Sequence, residues 1–199
     1  MTTWLTSDTH YSHSNIIRHC DRPFRDVHCM NESLVSLHNA LVKDDDIVFH
    51  LGDFVWKGHP DWFLSRLKGK HMLVPGNHDG CHSMHSKFRR EITRYTLAGF
   101  TVLDEQEGVT LPHLGRVMLC HFPMSNVNDP DERYPEHRPK SLLPGCHILL
   151  CGHVHEKWVR RGPCINVGVD RWQFRPVSTE ELAEFVRKSD GKDDSKTNA

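Results

Sequence analysis

The sequence lacks long apolar runs. No stretch approaches the roughly 20 apolar residues that a membrane-spanning helix needs. The first residues, MTTWLTSDTH, also lack the basic and apolar segments of a secretory signal. We therefore expect a cytoplasmic protein without a membrane partner.

The sequence also lacks an excess of charge of either sign. It carries 25 basic and 26 acidic side chains, which gives a formal net charge of -1. Proteins that hold a nucleic-acid backbone usually carry a basic excess, because phosphate contacts dominate their affinity. The balance therefore predicts no stable nucleic-acid complex.

Paired cysteine motifs are absent as well. The seven cysteines form no CxxC pair and their number is odd. This pattern suits reduced thiols better than a disulfide framework.

What is present is a chain of 199 residues, 37% of them hydrophobic, which suffices for one domain with its own core. We place this domain at residues 1–187 and expect the polar tail, 188–199, to be disordered. Short β-rich runs alternate with helical segments in the first half, and strands dominate the second half. These runs are 3–7, 46–51, 71–74, 100–103, 116–120, 147–151 and 164–168. The pattern predicts an α/β sandwich with two sheets.

Helix signals occur between and after these runs. Four apolar residues have the spacing of one helical face: Met30, Leu34, Leu37 and Leu41. Asn31 is a possible cap of this helix. Pro60 suits the first turn of a second helix, and residues 83–95 predict a third. Ser178 followed by Glu181 has the spacing of a capping box that opens a late helix. The proline-rich segment 123–145 is the one long loop, in a position to line a site.

Side chains that bind metals follow five of the apolar runs. They are Asp8, His10, Asp53, Asn77, His121, His153 and His155. Proteins with open α/β sheets bind small molecules and ions in the crevice beyond the carboxyl ends of the strands, so we expect these side chains to converge on one crevice. Their number exceeds the three or four protein ligands of a single zinc ion and favours two ions. A pair of metals can generate hydroxide from water and stabilise the attacking and leaving oxygens of a phosphoester.

The ordered set of motifs resembles the calcineurin-like metallophosphoesterase family. The motifs are DTH at 8–10, GD at 52–53, GNHD at 76–79, the strand-terminal His121 and GHVH at 152–155. The resemblance extends from residue 1 to about residue 175. It implies two packed mixed β-sheets flanked by helices, the four-layer α-β-β-α sandwich of metallo-dependent phosphatases.

The resemblance also implies a role for each ligand. Asp8, His10 and His155 would hold one divalent transition metal ion. Asn77, His121 and His153 would hold the other, and Asp53 would bridge them. Manganese is the ion expected first, with iron, zinc, cobalt and nickel as alternatives.

Family members use the histidine after the ligand asparagine as general acid for the departing oxygen, which here is His78. Asp79 would orient the imidazole of His78 by accepting its second N–H group, or would serve only as a turn or cap residue.

Other polar residues near these motifs have two interpretations each. His13 would contact the substrate phosphate or lie exposed at a helix start. Arg22 would clamp a phosphate oxygen or pair with Asp21 or Asp26. The stretch CHSMH, 81–85, carries metal-binding side chains but is expected on the surface of a helix.

Differences between this chain and other members of the family that it resembles indicate the substrate class. Protein phosphatases and dinucleoside tetraphosphatases carry GDxxDRG, whereas this chain has GDFVWKG, with Trp56 and Lys57 in place of the Asp-Arg pair. The length leaves no room for the capping domain of repair nucleases. We therefore expect a binuclear enzyme in which a metal-bridging hydroxide attacks small phosphodiesters such as cyclic nucleotides. The alternatives are a phosphomonoesterase, a nuclease on short single strands, or a non-catalytic scaffold that binds proteins.

Overall fold

Two five-stranded β-sheets form the centre of the computed structural model, which describes residues 1–129 and 133–190. The strands are β1 (Thr3–Thr6), β2 (Ile47–His50), β3 (Lys70–Leu73), β4 (Thr101–Val102), β5 (Gln106–Leu111), β6 (Gly115–Cys120), β7 (Leu149–Cys151), β8 (Arg160–Arg161), β9 (Cys164–Asn166) and β10 (Val177–Ser178). The helices are α1 (Ile16–His19), α2 (Val27–Leu41), α3 (Pro60–Leu64), α4 (Phe88–Ala98) and α5 (Thr179–Asp190), with 3₁₀ turns at Pro135–His137 and Val169–Arg171. This arrangement confirms the predicted sandwich of two mixed sheets flanked by helices.

Each sheet has a parallel centre. The first sheet has the order β10-β1-β2-β3-β4, in which β1 to β4 are parallel and only β10 runs antiparallel. The second has the order β5-β6-β7-β9-β8, with β6, β7 and β9 parallel and antiparallel strands at both edges. The carboxyl ends of parallel strands lie at one edge of a sheet, so each sheet presents several strand ends together.

An apolar core joins the two sheets. Leu5 from β1 shares this core with Leu119 from β6, Leu150 from β7 and Ile165 from β9, all of them fully buried. A second core packs α2, α3 and α4 against the other face of the first sheet. A third core covers the outer face of the second sheet with residues of the segment after β6 and with Trp158. The sheets are therefore held face to face, which fixes the position of their strand ends relative to each other.

Helix α2 begins earlier than its apolar pattern indicated. Its N-cap is Asp26, whose carboxylate accepts a hydrogen bond of 2.8 Å from the backbone N–H of Cys29. The prediction of Asn31 as the cap was wrong, because Asn31 lies inside the helix and accepts a hydrogen bond from the backbone N–H of Ser12.

The starts of the other predicted helices differ in accuracy. α3 begins at Pro60, as predicted. α4 begins at Phe88, whereas residues 83–87 form successive turns, so the helix predicted over 83–95 starts too early. Ser178 caps α5 by accepting a hydrogen bond of 3.1 Å from the backbone N–H of Glu181.

The predicted tail begins too early. α5 continues to Asp190, so residues 188–190 are helical rather than disordered. The remainder of the predicted tail, 191–199, lies outside the described residues. In the described parts of the chain, no helix is long and apolar enough to cross a membrane.

Three buried histidines lie between the first sheet and its helices. The rings of His38 and His71 stack with their centroids 5.4 Å apart, and each ring lies within hydrogen-bond distance of the carbonyl oxygen of Lys68. Burial lowers the pKa of His38 and His50, and it lowers the pKa of His71 to about 4. At pH values below the ordinary histidine pKa of 6.5, these histidines therefore bind protons in the unfolded chain but stay neutral in the folded protein.

We predict that the contribution of these three histidines to the free energy of unfolding falls as the pH drops from about 6.5 towards 4. Each such histidine contributes a slope of up to about 1.4 kcal/mol per pH unit. His71→Gln keeps an N–H donor for Lys68 but removes one titrating group, so it should flatten the slope. Urea unfolding in EDTA at several pH values measures this, with the exposed His113→Gln as control. An unchanged slope in His71→Gln would show that this ring does not resist protonation.

Candidate metal centre

Polar side chains follow the ends of five parallel strands drawn from both sheets. Asp8 comes soon after β1, Asp53 after β2 and Asn77 after β3 in the first sheet. His121 comes directly after β6 and His153 soon after β7 in the second sheet. Because the sheets pack face to face, these side chains lie in one buried cluster.

The carboxylate of Asp53 is at the centre of this cluster. Its Oδ2 atom lies 3.4 Å from Nε2 of His10 and 3.6 Å from Nε2 of His121. Its Oδ1 atom accepts a hydrogen bond of 2.8 Å from the backbone N–H of His78. One carboxylate oxygen therefore faces an imidazole from each of the two predicted ligand groups, which is the arrangement that a bridging ligand requires.

The first predicted ligand group brings Asp8, His10 and His155 together. One donor atom from each of them lies within 4.8 Å of the others. His10 is fully buried, and neither of its ring nitrogens has a hydrogen-bond partner among the described residues. A buried polar atom without a partner is costly in a protein interior, and a metal ion would satisfy it.

The second predicted group is centred on the side chain of Asn77. Its Oδ1 atom lies 3.1 Å from Nε2 of His121 and 3.1 Å from Nδ1 of His153. Nδ1 of His121 lies 2.7 Å from the carbonyl oxygen of Leu51, to which it donates its proton. This hydrogen bond leaves a lone pair on Nε2 of His121, the nitrogen that faces Asn77 and Asp53.

The backbone of the cluster is strained. Five of the seven predicted ligands have left-handed backbone angles, with φ values of 57° at Asp8, 49° at His10, 57° at Asp53, 70° at His153 and 48° at His155. Such angles cost residues other than glycine of order 1–3 kcal/mol each and persist where the surrounding structure enforces them. Their concentration here is typical of a functional site.

Two glycines allow the strand ends to approach each other. A Cβ atom at Gly52 would lie 2.7 Å from Nδ1 of His121, and one at Gly76 would lie 2.6 Å from the backbone nitrogen of Asp53. Any larger residue would push the second sheet or the GNHD turn away from Asp53.

The electrostatics of the cluster favour a bound cation. Burial raises the pKa of the Asp8 and Asp53 carboxyls and lowers the pKa of His10 and His121. Burial opposes a charge on His155 too, but the negative charge of Asp8 and the hydrogen bond that His155 donates to Asp170 outweigh it and raise the pKa of His155. Carboxylates and neutral imidazoles in one buried cluster are the donor set that divalent transition metals prefer.

A comparison with known proteins identifies the family. The sequence model of the calcineurin-like phosphoesterases matches residues 1–157. The chain belongs to the calcineurin-like phosphoesterase family. Enzymes of this family hydrolyse phosphoesters with divalent metal ions, and the donor groups of this chain fit that requirement.

Relatives of similar length share the whole domain. An uncharacterized protein of Methanocaldococcus jannaschii is 30% identical over 190 residues, which cover 93% of this chain and 91% of that protein. The gene 66 protein of Mycobacterium phage L5 is 29% identical over an alignment of 201 residues, gaps included. The alignment covers 92% of this chain and 93% of the phage protein. The crystal structure of a protein of unknown function from Aquifex aeolicus is similar with a TM-score of 0.68 and 26% identity, covering 92% and 98% of the two chains.

Arg22 has a structural position rather than a position for substrate. Its side chain is fully buried and donates two hydrogen bonds, of 2.7 and 2.8 Å, to the carboxylate of Asp170. It also donates to the backbone carbonyls of Asp8 and Thr9. The proposed phosphate clamp is therefore wrong, and so is the alternative pairing with Asp21 or Asp26.

Asp170 is a residue that the sequence reasoning missed. Its Oδ2 atom lies 3.3 Å from Nδ1 of His155, and Arg22 holds the carboxylate in place from the other side. Nδ1 of His155 donates to Asp170, which directs Nε2 towards Asp8, 3.9 Å away. Asp170 follows the apolar run of β9, so the strand-end pattern that revealed the other residues could have revealed this one.

Asp79 does not orient His78. Its carboxylate accepts four hydrogen bonds, from the backbone N–H groups of Asp53, Phe54 and Gly76 and from the hydroxyl of Tyr95. Asp79 therefore fixes the GNHD turn against the end of β2, which corrects the expected contact with the imidazole of His78. Any catalytic role of Asp79 acts through the backbone of Asp53.

An open cleft of about 440 Å³ leads to the cluster. His78 lines this cleft with its side chain 31% exposed, and its Nε2 atom lies 3.9 Å from Oδ2 of Asp53. His13 also lines the cleft but is not the exposed residue of the alternative interpretation, because it is buried against Trp56. The two rings stack with their centroids 3.9 Å apart and an angle of 7° between their planes.

We predict that Asp170→Asn weakens metal binding by roughly 10- to 100-fold, the usual effect of removing the partner of a ligating histidine. The change keeps the size of the side chain but removes the charge that fixes the tautomer of His155. Competition with a chelator of known Mn²⁺ affinity measures the loss without an activity assay. Asp44→Asn, at an exposed position, is the matched control. Wild-type affinity in Asp170→Asn would mean that this carboxylate does not support the ligand.

Proposed function

We propose that the protein is a binuclear phosphodiesterase that acts on small diesters such as cyclic nucleotides. The observation that carries the proposal is the position of Asp53, whose Oδ2 atom faces both His10 and His121 at the base of an open cleft. In the proposal Asp53 bridges two ions, manganese being the ion of choice. The remaining ligands are Asp8, His10 and His155 for one ion and Asn77, His121 and His153 for the other.

The side chains around the cleft have different proposed roles in the reaction. At this site two bound ions would supply a nucleophile from water at neutral pH and would stabilise the charge that develops on the phosphate. The seven proposed ligands would hold those ions, and the buried residues behind Asp53 would exclude bulk water from the reacting face. His78 lines the cleft beside Asp53, where it can reach the departing oxygen.

The proposed acid role of His78 depends on the charge of the bound substrate. Burial and the neighbouring imidazoles lower the pKa of His78 to about 4, which disfavours its protonated form in the free protein. An anionic phosphodiester beside the ring opposes this shift, because an opposite charge within about 4–6 Å favours the charged form. The bound substrate would therefore favour the protonated form of His78, which donates the proton to the leaving group.

The proposed preference for diesters rests on the absence of the GDxxDRG arginine beside Asp53. Lys57 occupies the position at which the phosphatases with GDxxDRG carry their phosphate-gripping arginine, and Trp56, at the preceding position, stacks on His13. Lys57 is exposed and lines a neighbouring groove, and Arg22 is buried against Asp170. A monoester dianion gains more from a nearby cation than a diester monoanion does, so this cleft favours the diester.

One observation favours a nuclease on short single strands as the second candidate. Arg133 and Lys157 line the cleft, where they could contact a phosphate next to the scissile one. A non-catalytic scaffold is disfavoured, because all seven ligand side chains and His78 are present.

The substrate class is tested with purified protein and Mn²⁺. We expect a higher kcat/KM on bis-p-nitrophenyl phosphate than on p-nitrophenyl phosphate, together with hydrolysis of 2′,3′- or 3′,5′-cyclic nucleotides. Cleavage of short single strands without activity on cyclic nucleotides would favour the nuclease. A tenfold or greater preference for the monoester would overturn the diester proposal.

The same substrates test His78. A ribose alkoxide needs a proton to depart and p-nitrophenolate scarcely does, so His78→Ala should lose roughly 10²–10⁴-fold on a cyclic nucleotide and far less on bis-p-nitrophenyl phosphate. Its metal content should equal that of the wild type. His19→Ala, at another histidine that lines the cleft, is the matched control. Equal losses on both substrates would show that His78 binds the phosphate rather than donating a proton.

A further inference from the structure

A second group of metal-binding side chains lies next to Phe122, outside the metal centre. Its members are His82, Glu105 and His137, and one donor atom from each lies within 4.8 Å of the others. They come from three separate segments: the turns after GNHD, the connection between β4 and β5, and the 3₁₀ turn after β6. Residues 81–85 form turns rather than a helix, and Cys81 and His82 are buried, which corrects the expected surface position for these two residues, whereas Ser83 is exposed.

The spacing of these donors suits a single ion. Nδ1 of His82 lies 3.4 Å from Oε1 of Glu105. Two ligands bound to tetrahedral zinc at their usual bond lengths are also about 3.4 Å apart. Two imidazoles and one carboxylate, with water in the fourth position, are a common ligand set for zinc.

The hydrogen bonds around these groups leave a lone pair and a carboxylate facing each other. The backbone N–H of Met84 donates to Nδ1 of His82 at 3.2 Å, so this nitrogen carries no proton. The backbone N–H of Ser83 donates to Oε1 of Glu105 at 2.6 Å, which fixes the carboxylate beside the ring. Two acceptors at 3.4 Å repel each other, and a cation between them removes the repulsion by taking the lone pair from the Met84 N–H.

The protonation state of His82 agrees with this arrangement. Burial lowers the pKa of His82, although the charge of Glu105 opposes the shift. The ring is therefore neutral near pH 7, which is the form that binds metals and not the form that makes an ion pair with Glu105.

Phe122 holds both imidazoles in place. The ring of His82 meets Phe122 edge to face with centroids 5.9 Å apart, and the ring of His137 lies nearly parallel to it at 6.0 Å. The two imidazoles are 4.9 Å apart and nearly perpendicular, with Oε1 of Glu136 lying 3.6 Å from Nε2 of His137. The side chains of Glu105 and His137 are 32% and 20% exposed, so an ion can reach the group from solvent.

We propose that His82, Glu105 and His137 bind a third divalent cation, for which zinc is the preferred ion. Phe122 separates this site from the phosphoesterase centre, because its ring also packs against His121 at 5.0 Å and His153 at 4.8 Å. The ion joins the segment after β6 to the turns after GNHD. It thereby stabilises one wall of the structure around the cleft, and the site does not depend on which phosphoester is hydrolysed.

The number of zinc ions per chain tests the site. The protein is loaded with Zn²⁺, dialysed against a weak chelator and measured by elemental analysis. His137→Ala and Glu105→Gln should each hold one zinc ion fewer than the wild type, and both changes lie at partly exposed positions that tolerate substitution. His113→Ala, at an exposed histidine, should hold the wild-type number. An unchanged count in His137→Ala, or an equal loss in His113→Ala, would overturn the proposal.

Backbone hydrogen exchange gives a second readout. Zinc should slow the exchange of amides in residues 82–86 and 133–138 of the wild type and should leave those of His137→Ala unchanged. Asp53→Ala, which removes the central ligand of the other site, should keep this zinc-dependent protection. The two metal sites are therefore tested independently, because each can fail its test while the other passes. Equal protection by zinc in the wild type and His137→Ala would contradict the third site.

Discussion

The structure depends on a single buried carboxylate, that of Asp53, held where the two sheets meet. The backbone N–H of Asp53 donates to Asp79, and its own Oδ1 atom accepts the backbone N–H of His78. Two buried carboxylates side by side would cost several kcal/mol of desolvation if neither were paired. Four hydrogen bonds offset this cost at Asp79. At Asp53 the free Oδ2 atom faces two imidazoles, which leaves a bound cation as the partner that completes the pairing.

The packing of the sheets and the chemistry of the site are coupled through this position. Each proposed ion takes ligands from both sheets, since Asp8 and Asn77 follow strands of the first and His155 and His121 follow strands of the second. The apolar core between the sheets holds these strand ends in place, and bound ions would in turn hold the sheets together. The left-handed backbone at the ligands is tolerated because this core enforces it.

The parts of this architecture that could be predicted from sequence are those with a local signal. Apolar runs that end in aspartate, histidine or glycine marked the seven candidate metal ligands and the strands that carry them. β5 was missed because Gln106–Leu111 contains a glycine and a glutamate and has no apolar run. The partner of Arg22 could not be found locally, because Asp170 lies 148 residues away in the chain. The role of Asp79 could not be found locally for the same reason, since three of its four hydrogen bonds come from the backbone of Asp53 and Phe54 after β2 and from the hydroxyl of Tyr95.

The central claim is that Asp53 bridges two metal ions. The most direct measurement is anomalous diffraction at the manganese absorption edge from crystals grown with Mn²⁺. The account predicts two strong peaks roughly 3.5–4 Å apart, the usual separation in two-metal sites, with the carboxylate of Asp53 contacting both. A single peak in the cluster, or two peaks of which only one lies beside Asp53, would contradict it.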